Sequence, residues 1–169
     1  LGDRQAMAYA LVSEMSVATY RNPNSIEAHE ALRQETEAAL ATVSDAHLHN
    51  YYFAVLAWDQ VYRGRVTQAR QAIARLEQVG AAMADPRSLG YAISIDALLS
   101  VVSDDYVAGL EKAELGLRIA RAPFEMVCAT TARNSALVLL NRPGAIEEVE
   151  RHLAMCQENG WINFTAGPE

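Results

Sequence analysis

The sequence contains few prolines and glycines, which break helices, and few cysteines, which form the disulfides of small secreted proteins. Its 169 residues include five prolines, nine glycines and two cysteines, Cys128 and Cys156. Two cysteines are too few for a disulfide framework. The hydrophobic fraction of 51% excludes a disordered or collagen-like chain, because so much apolar surface offsets the entropy lost on ordering. We therefore expect a globular protein with a sizeable core.

Positive charge and long apolar runs are also scarce. The 14 lysines and arginines are outnumbered by 21 aspartates and glutamates, which gives a formal net charge of -7. An acidic chain repels phosphate backbones on average, so nucleic acid is a poor partner for it. The longest apolar runs, such as residues 136–140, fall far short of the roughly 20 residues that cross a bilayer. We expect no membrane span and no membrane partner.

The first residues suggest a piece of a larger protein. The chain begins with Leu1 rather than Met, and its start lacks the charged segment, apolar centre and cleavage site of a signal peptide. Two cysteines without a framework are typical of proteins from a reducing compartment. We therefore expect a cytoplasmic protein of which this chain is a fragment.

Helical periodicity dominates the rest of the sequence. Apolar residues recur at spacings of three and four, and strand-like alternation is almost absent. Alanine, the commonest residue, favours helices and lets them approach closely. The fold is therefore predicted to be all-α. Turn-forming residues divide the chain into about eight helical pieces, and they lie at 22–25, Gly64, Gly80, 85–86, 104–105, Pro123, 143–144 and Gly160.

Helix starts are predicted at residues that satisfy free backbone N–H groups or suit the first turn. These residues are Ser25, Ser44 or Asp45, Pro86, Asp104 or Asp105, Pro123 and Pro143. The fourth helix is predicted to run from Val66 to Val79. Gly80 is predicted to cap its C-terminus, because glycine adopts the left-handed conformation without steric cost.

An internal repeat of about 40 residues follows from the turns. Gly64, Asp105 and Gly144 align at spacings of 41 and 39 residues, each between the two helices of a pair. The repeats are predicted at about 1–43, 44–84, 85–124 and 125–160, with 161–169 beginning a further helix or a cap. We expect a single repeat domain over residues 1–169, an α–α superhelix of about four helical hairpins.

The second repeat matches part of the tetratricopeptide pattern, which places large, small and aromatic residues where two helices cross. The matching residues are Phe53, Leu56, Ala57 and Gln60 on the first helix and Ala69 and Ile73 on the second. The third repeat departs from this pattern with Leu110 and Glu114. The helices are also longer than the roughly 34-residue period allows. The chain therefore resembles a degenerate, extended tetratricopeptide array.

Three segments carry a closer resemblance: residues 58–64, 69–76 and 158–161. They resemble the C-terminal repeats of bacterial adenylate/guanylate cyclase-like proteins with an ATPase module, and of LuxR-type regulators related to the maltose regulon activator. The resemblance implies a right-handed superhelix that serves as a sensory or protein-interaction segment. It also implies that any nucleotide chemistry belongs to a domain outside this chain.

The same resemblance implies a concave groove lined by the first helix of each pair, with positions counted from Ala57. The candidate residues are Ser13, Val17, Tyr20 and Arg21 in the first repeat, Tyr51, Ala54, Trp58, Val61 and Tyr62 in the second, and Thr131, Asn134, Val138, Asn141 and Arg142 in the last. Aromatic and arginine side chains anchor interfaces well, because they bury a large area and keep a polar group. The alternative is that these residues only pack one repeat against the next.

Histidine and cysteine offer two weak chemical motifs. His47 and His49 are two residues apart, so on a helix they point to different faces and suit a metal poorly. His152 and Cys156 are four apart and share a face. However, Cys156 falls on a repeat packing position, which favours a buried, inert thiol over a nucleophile. A disulfide between Cys128 and Cys156 is the remaining alternative. We expect no catalytic residue, no metal and no cofactor.

The most specific function that these patterns favour is a non-catalytic interaction or regulatory domain of a bacterial signalling or transcription-regulatory protein. Its partner would be a protein, a peptide or a small effector. One alternative is the helical part of an enzyme whose active site another domain completes. Another is a structural spacer or dimerisation module, in which the terminal helices and the apolar residues of 161–164 form a homodimer contact.

Overall fold

The computed structural model describes residues 3–21, 26–121 and 123–160. These residues form eight α-helices and no strand, so the predicted all-α class is confirmed. The helices are α1 (Arg4–Arg21), α2 (Ile26–Leu40), α3 (Ala46–Tyr62), α4 (Val66–Met83), α5 (Pro86–Val102), α6 (Tyr106–Ile119), α7 (Pro123–Leu139) and α8 (Ala145–Glu158). None of these helices is both long enough and apolar enough to cross a bilayer.

The chain divides into two compact units, Leu1–Ser88 and Leu89–Glu169. In the first unit, α2 and α3 both pack against α1, and α4 packs along α3. In the second unit, α7 packs along α6 and is followed by α8. The core of the first unit is apolar and joins three helices: it contains Ala8, Val12, Met15, Leu40, Leu48, Tyr52 and Val55.

Most of the predicted helix starts are confirmed. The Asp45 carboxylate caps α3 by accepting hydrogen bonds from two backbone N–H groups of the first turn. Asp105, rather than Asp104, caps α6 in the same way. Pro86 and Pro123 are the first residues of α5 and α7. The prediction for Ser25 falls outside the described residues.

Two predicted helix ends are wrong. α8 begins at Ala145 and not at Pro143, because Gly144 has a φ of 77° and interrupts the helix there. α4 does not stop before Gly80 but continues to Met83, and Ala84 adopts the left-handed conformation at its end. Gly80 is buried within α4, where a Cβ atom would collide with the side chain of Ser88. Close approach of α5 to α4, and not a turn, therefore explains this glycine.

The repeat register also differs from the prediction. α3, α5 and α7 end in the same turn, in which the residue with positive φ is Gly64, Asp104 or Asn141. In all three turns the next N–H group donates to the carbonyl five residues before it, at 2.9 Å. The equivalent residues are therefore Asp104 and Asn141, and not Asp105 and Gly144. The helix-ending turns lie 40 and then 37 residues apart.

Burial of the second helices supports the corrected register. Ala69 is fully buried in α4, and the buried residue 40 positions later in α6 is Gly109. Gly109 and Ala113 thus replace Leu110 and Glu114 as the residues of the packing pattern. The third repeat therefore has small residues where its helices cross. It departed from the pattern in the prediction only because the predicted alignment was one residue out of register.

Because α6 lies close to α5 at Gly109, adding one methyl group there should change the stability of the protein. A Cβ atom there would lie 2.6 Å from Val101 Cγ2 and 3.2 Å from the backbone oxygen of Ala97. We expect Gly109→Ala to lower the free energy of unfolding by about 1–3 kcal/mol, measured by urea unfolding followed by circular dichroism. The steric overlap outweighs the gain of about 1 kcal/mol in helix propensity.

The matched control makes the opposite substitution, alanine to glycine, at a position that is exposed to solvent. Ala74 is exposed on α4, so Ala74→Gly reports the propensity difference alone, about 1 kcal/mol. If Gly109→Ala were to stabilise the protein by that amount, α6 would not cross α5 at this residue.

Candidate functional site

Two of the aromatic residues predicted to line a groove, Trp58 and Tyr62, pack against each other. Trp58 is only 3% exposed, and its ring meets that of Tyr62 edge-on at a centroid distance of 5.0 Å. Tyr62 is 57% exposed. The Tyr51 ring is half-buried and lies 6.1 Å from that of Tyr9. The enclosed indole of Trp58 fits the packing alternative, whereas the ring of Tyr62 stays largely open to solvent.

The other predicted positions have different outcomes. The side chains of Tyr20 and Arg21 lie outside the part of the chain that the structure describes. Arg142 is exposed in the turn after α7. Asn134 is buried, and together with Thr131 and Val138 it lines a cavity between α7 and α8. The structure therefore brings three candidates of the last repeat together and leaves Asn141 and Arg142 outside the group.

This cavity, here called the α7–α8 groove, has a volume of about 380 Å³. Its lining is mostly apolar, with a few polar groups, which is typical of a binding site. The residues are Thr131, Asn134, Ser135, Val138 and Leu139 from α7, and Val149, His152 and Leu153 from α8. The contribution of α8 was missed from the sequence, because the prediction considered only the first helix of each pair.

The last pair carries a larger residue than the preceding pair at one position of its second helix. In α6 this position is Gly109, which lets the backbone approach Val101 and Ala97. The buried residues of α8 follow those of α6 at a distance of 40, because Cys156 lies 40 residues after Gly116. The residue that corresponds to Gly109 is therefore Val149, which lines the groove. Valine carries two methyl groups at the position where glycine lets α6 approach α5, and in this pair a cleft lies between α7 and α8.

Three α7 residues of the groove correspond to α5 residues that are buried. In the corrected register, each α7 position corresponds to the α5 position 37 residues earlier. Thr131, Ser135 and Val138 correspond in this way to Ser94, Leu98 and Val101. All three α5 residues are buried, and Val101 is 5% exposed, whereas Val138 is 40% exposed. The groove therefore presents a face that the preceding pair keeps covered.

Two polar atoms in the groove wall have no partner among the described residues. They are Oδ1 of Asn134 and Nδ1 of His152, and both are buried. The amide nitrogen of Asn134 lies 3.5 Å from the backbone oxygen of Glu148, which is a weak contact. Burial lowers the pKa of His152, so its imidazole is neutral at pH 7. A ligand could therefore gain hydrogen bonds here without meeting a charge.

The thiols do not form a nucleophilic site. Burial raises the pKa of Cys156 and lowers that of His152, which is the opposite of what a thiolate–imidazolium pair needs. Burial also raises the pKa of Cys128 well above its usual value. Both cysteines are free and buried, so the disulfide alternative is wrong.

Metal-binding groups are dispersed in the described part of the chain. No three of its histidine, cysteine, aspartate and glutamate side chains come together in a geometry that could hold an ion. His47 is exposed, and Nε2 of His49 lies 2.9 Å from the backbone oxygen of Val43. The second histidine of this pair therefore contacts the chain before α3.

The first unit contains a buried charged cluster around Asp59 of α3. This carboxylate is 1% exposed. Its Oδ1 lies 2.9 Å from Nε2 of His29 and accepts a hydrogen bond from Nε of Arg63 at 2.8 Å. Its Oδ2 accepts from the amide of Gln60 at 2.9 Å, and Thr19 of α1 lies 3.5 Å from Oδ1. The cluster joins α1, α2 and α3 and is closed to solvent, so its geometry suits packing.

Comparison with protein families, with curated proteins and with solved structures finds no match to this chain. The resemblance to extended tetratricopeptide arrays therefore stays a prediction. The case for a function depends on the grooves and clusters of the structure itself.

The buried histidines predict how stability depends on pH. Burial lowers the pKa of His29; Asp59 raises it, but less than burial lowers it. Below about pH 6.5 the unfolded chain therefore binds more protons than the folded chain. The free energy of unfolding consequently decreases as the pH falls through this range. We expect the urea midpoint of the protein to decrease between pH 7 and pH 5.

The His29→Gln variant tests which residue is responsible. It should show a flatter dependence on pH over the same range, because it lacks one of the two imidazoles whose pKa burial lowers. The control is His47→Gln at an exposed position, which should keep the slope of the unchanged protein. Equal slopes for both variants would mean that His29 does not contribute.

Proposed function

We propose that this chain is a non-catalytic protein-binding domain of a bacterial signalling or transcription-regulatory protein, and that it acts in the cytoplasm. Its binding site is the α7–α8 groove, and its ligand is an amphipathic helix of a partner protein. Two buried free thiols support a reducing compartment. The observation that carries the proposal is the uncovered face of α7, which is buried at the equivalent positions of α5.

The way each unit packs a further helix against a pair of helices supports a helix as the ligand. In the first unit, α3 contacts α1 through the apolar core and α2 through the Glu37 carboxylate, which accepts a hydrogen bond from Tyr52 at 2.6 Å. In the second unit, α7 contacts α6 near Gly116 and α5 near Gly90, which leaves room for Glu125. A helix is therefore the element that this fold places between paired helices.

The lining of the groove defines the chemistry of that helix. Val138, Leu139 and Leu153 are partly exposed apolar side chains, so the ligand needs an apolar stripe at spacings of three and four. A hydrogen-bond donor beside this stripe would satisfy Oδ1 of Asn134. The stripe needs no charged residue, because the imidazole of His152 is neutral at pH 7.

A pair of peptides tests the proposal directly. The first is a fluorescein-labelled amphipathic peptide with leucines at helical spacings of three and four. The second has the same composition in a scrambled order that destroys this spacing. We expect the full chain to bind the first peptide more tightly in fluorescence anisotropy, because only that peptide presents a continuous apolar stripe.

Two matched variants locate the binding. Val138→Arg places a charge in the groove and should weaken binding about tenfold or more. Val107→Arg makes the same change at an exposed position of α6 and should leave the affinity within about twofold. Equal binding of both peptides, or equal losses in both variants, would contradict a helix-binding groove.

A further inference from the structure

A second groove lies in the first unit and differs chemically from the first. It is enclosed by α2, α3 and α4, has a volume of about 450 Å³, and is here called the α2–α4 groove. Three arginines and two glutamates line it, so its charged groups sum to a positive charge in a chain of formal net charge -7. A positive cavity in an acidic chain favours an anionic ligand.

The charged side chains on the α2 wall of this groove form ion pairs with one another. Arg33 donates to Glu30 and, at 2.6 Å, to Oε1 of Glu37. The hydroxyl of Tyr52 donates to the same oxygen of Glu37 at 2.6 Å. The hydrogen bond from Arg33 lowers the pKa of Glu30, and the charge of Arg65 lowers it further. These groups hold one another in place and leave no free carboxylate on this wall.

The α4 wall is not satisfied in the same way. Arg65 and Arg75 line the groove, and none of the described carboxylates forms an ion pair with either guanidinium. Arg75 donates only to the amide oxygen of Gln78, at 3.0 Å. Between the two arginines, Gln68 and Gln71 present side-chain amides to the groove. This wall therefore offers two cations separated by neutral hydrogen-bonding groups.

The floor of the groove adds apolar surface and one fixed amide. Phe53, Leu56 and Gln60 lie at spacings of three and four on α3, which places them on one face. Gln60 is 4% exposed, and its nitrogen donates to Asp59. Its Oε1 accepts no hydrogen bond from the residues that the structure describes. Gln60 lines the groove, so this oxygen is the acceptor that a ligand could use there.

The spacing of the two arginines defines the length of the ligand. They are ten residues apart along α4, which corresponds to about 15 Å at the helical rise. An extended peptide advances about 3.3–3.6 Å per residue, so four to five residues bridge them. A single small anion would occupy one guanidinium and leave the other without a partner.

We propose that the α2–α4 groove binds an extended acidic peptide segment, with one carboxylate at Arg65 and a second at Arg75. Arginine suits this role because its planar group binds a carboxylate through two parallel hydrogen bonds. The amides of Gln68 and Gln71 bond to the peptide backbone between the two acidic residues, and its N–H groups reach Oε1 of Gln60. This site is independent of the α7–α8 groove, which lies in the other unit.

Three blocked peptides test the site by calorimetric titration of the full chain. The first has five residues with glutamate at both ends, the second has glutamine at both ends, and the third carries both glutamates side by side. We expect only the first to bind well, because only its carboxylates span the two arginines. Equal binding of the first and third peptides would overturn the proposed spacing, and no binding of the first would overturn the site.

Variants on one helix provide the matched control. Arg65→Gln and Arg75→Gln should each weaken binding of the first peptide about fivefold or more. Arg70 is exposed on α4 and does not line the groove, so Arg70→Gln should leave the affinity unchanged. Circular dichroism verifies that all three variants keep their helices. An equal loss in Arg70→Gln would show non-specific charge attraction, and displacement of the peptide by equimolar inorganic phosphate would show a general anion site. Either result would contradict a peptide site.

Discussion

The size of one residue in each second helix controls how closely the paired helices approach. This position recurs every 40 residues and is occupied by His29, Ala69, Gly109 and Val149. Ala69 is fully buried, and Gly109 allows α6 to touch the backbone of α5. Val149 is larger and lines the open groove between α7 and α8. Helices gain most of their stability from such packing, so a change of one or two methyl groups alters the surface that a pair presents.

In the first unit, α2 carries a polar residue, His29, at the same position. There the imidazole of His29 reaches the buried carboxylate of Asp59, which Arg63 and Gln60 also contact. A buried carboxylate is tolerated only when several donors surround it, because removing one partner leaves an uncompensated charge. Gln60 also lines the α2–α4 groove. The packing of α1, α2 and α3 is thereby linked to the orientation of a groove residue.

Local chemistry made many elements of the fold predictable. Asp45 and Asp105 cap their helices, and Pro86 and Pro123 begin theirs, because each satisfies a requirement of the first turn. The repeat register was harder to predict. Asp104 and Asn141 take a left-handed conformation that glycine usually adopts. The predicted alignment therefore placed the turn one residue late in the third repeat and three residues late in the last. The candidates of the last repeat line a groove, whereas Trp58 is enclosed by its neighbours.

The sequence by itself determined the all-α class, the number of helices and most of their starts, because these depend on periodicity and on interactions within a few residues. Only the tertiary structure decided which face of each helix remains open. Gly80 illustrates the difference: its sequence context suggests a cap, but its contact with Ser88 shows a site of close approach. Likewise, the positions of Arg65 and Arg75 in one groove depend on how α2, α3 and α4 pack. Helical spacing specifies which residues share a face, whereas exposure of that face depends on the size of side chains on a different helix.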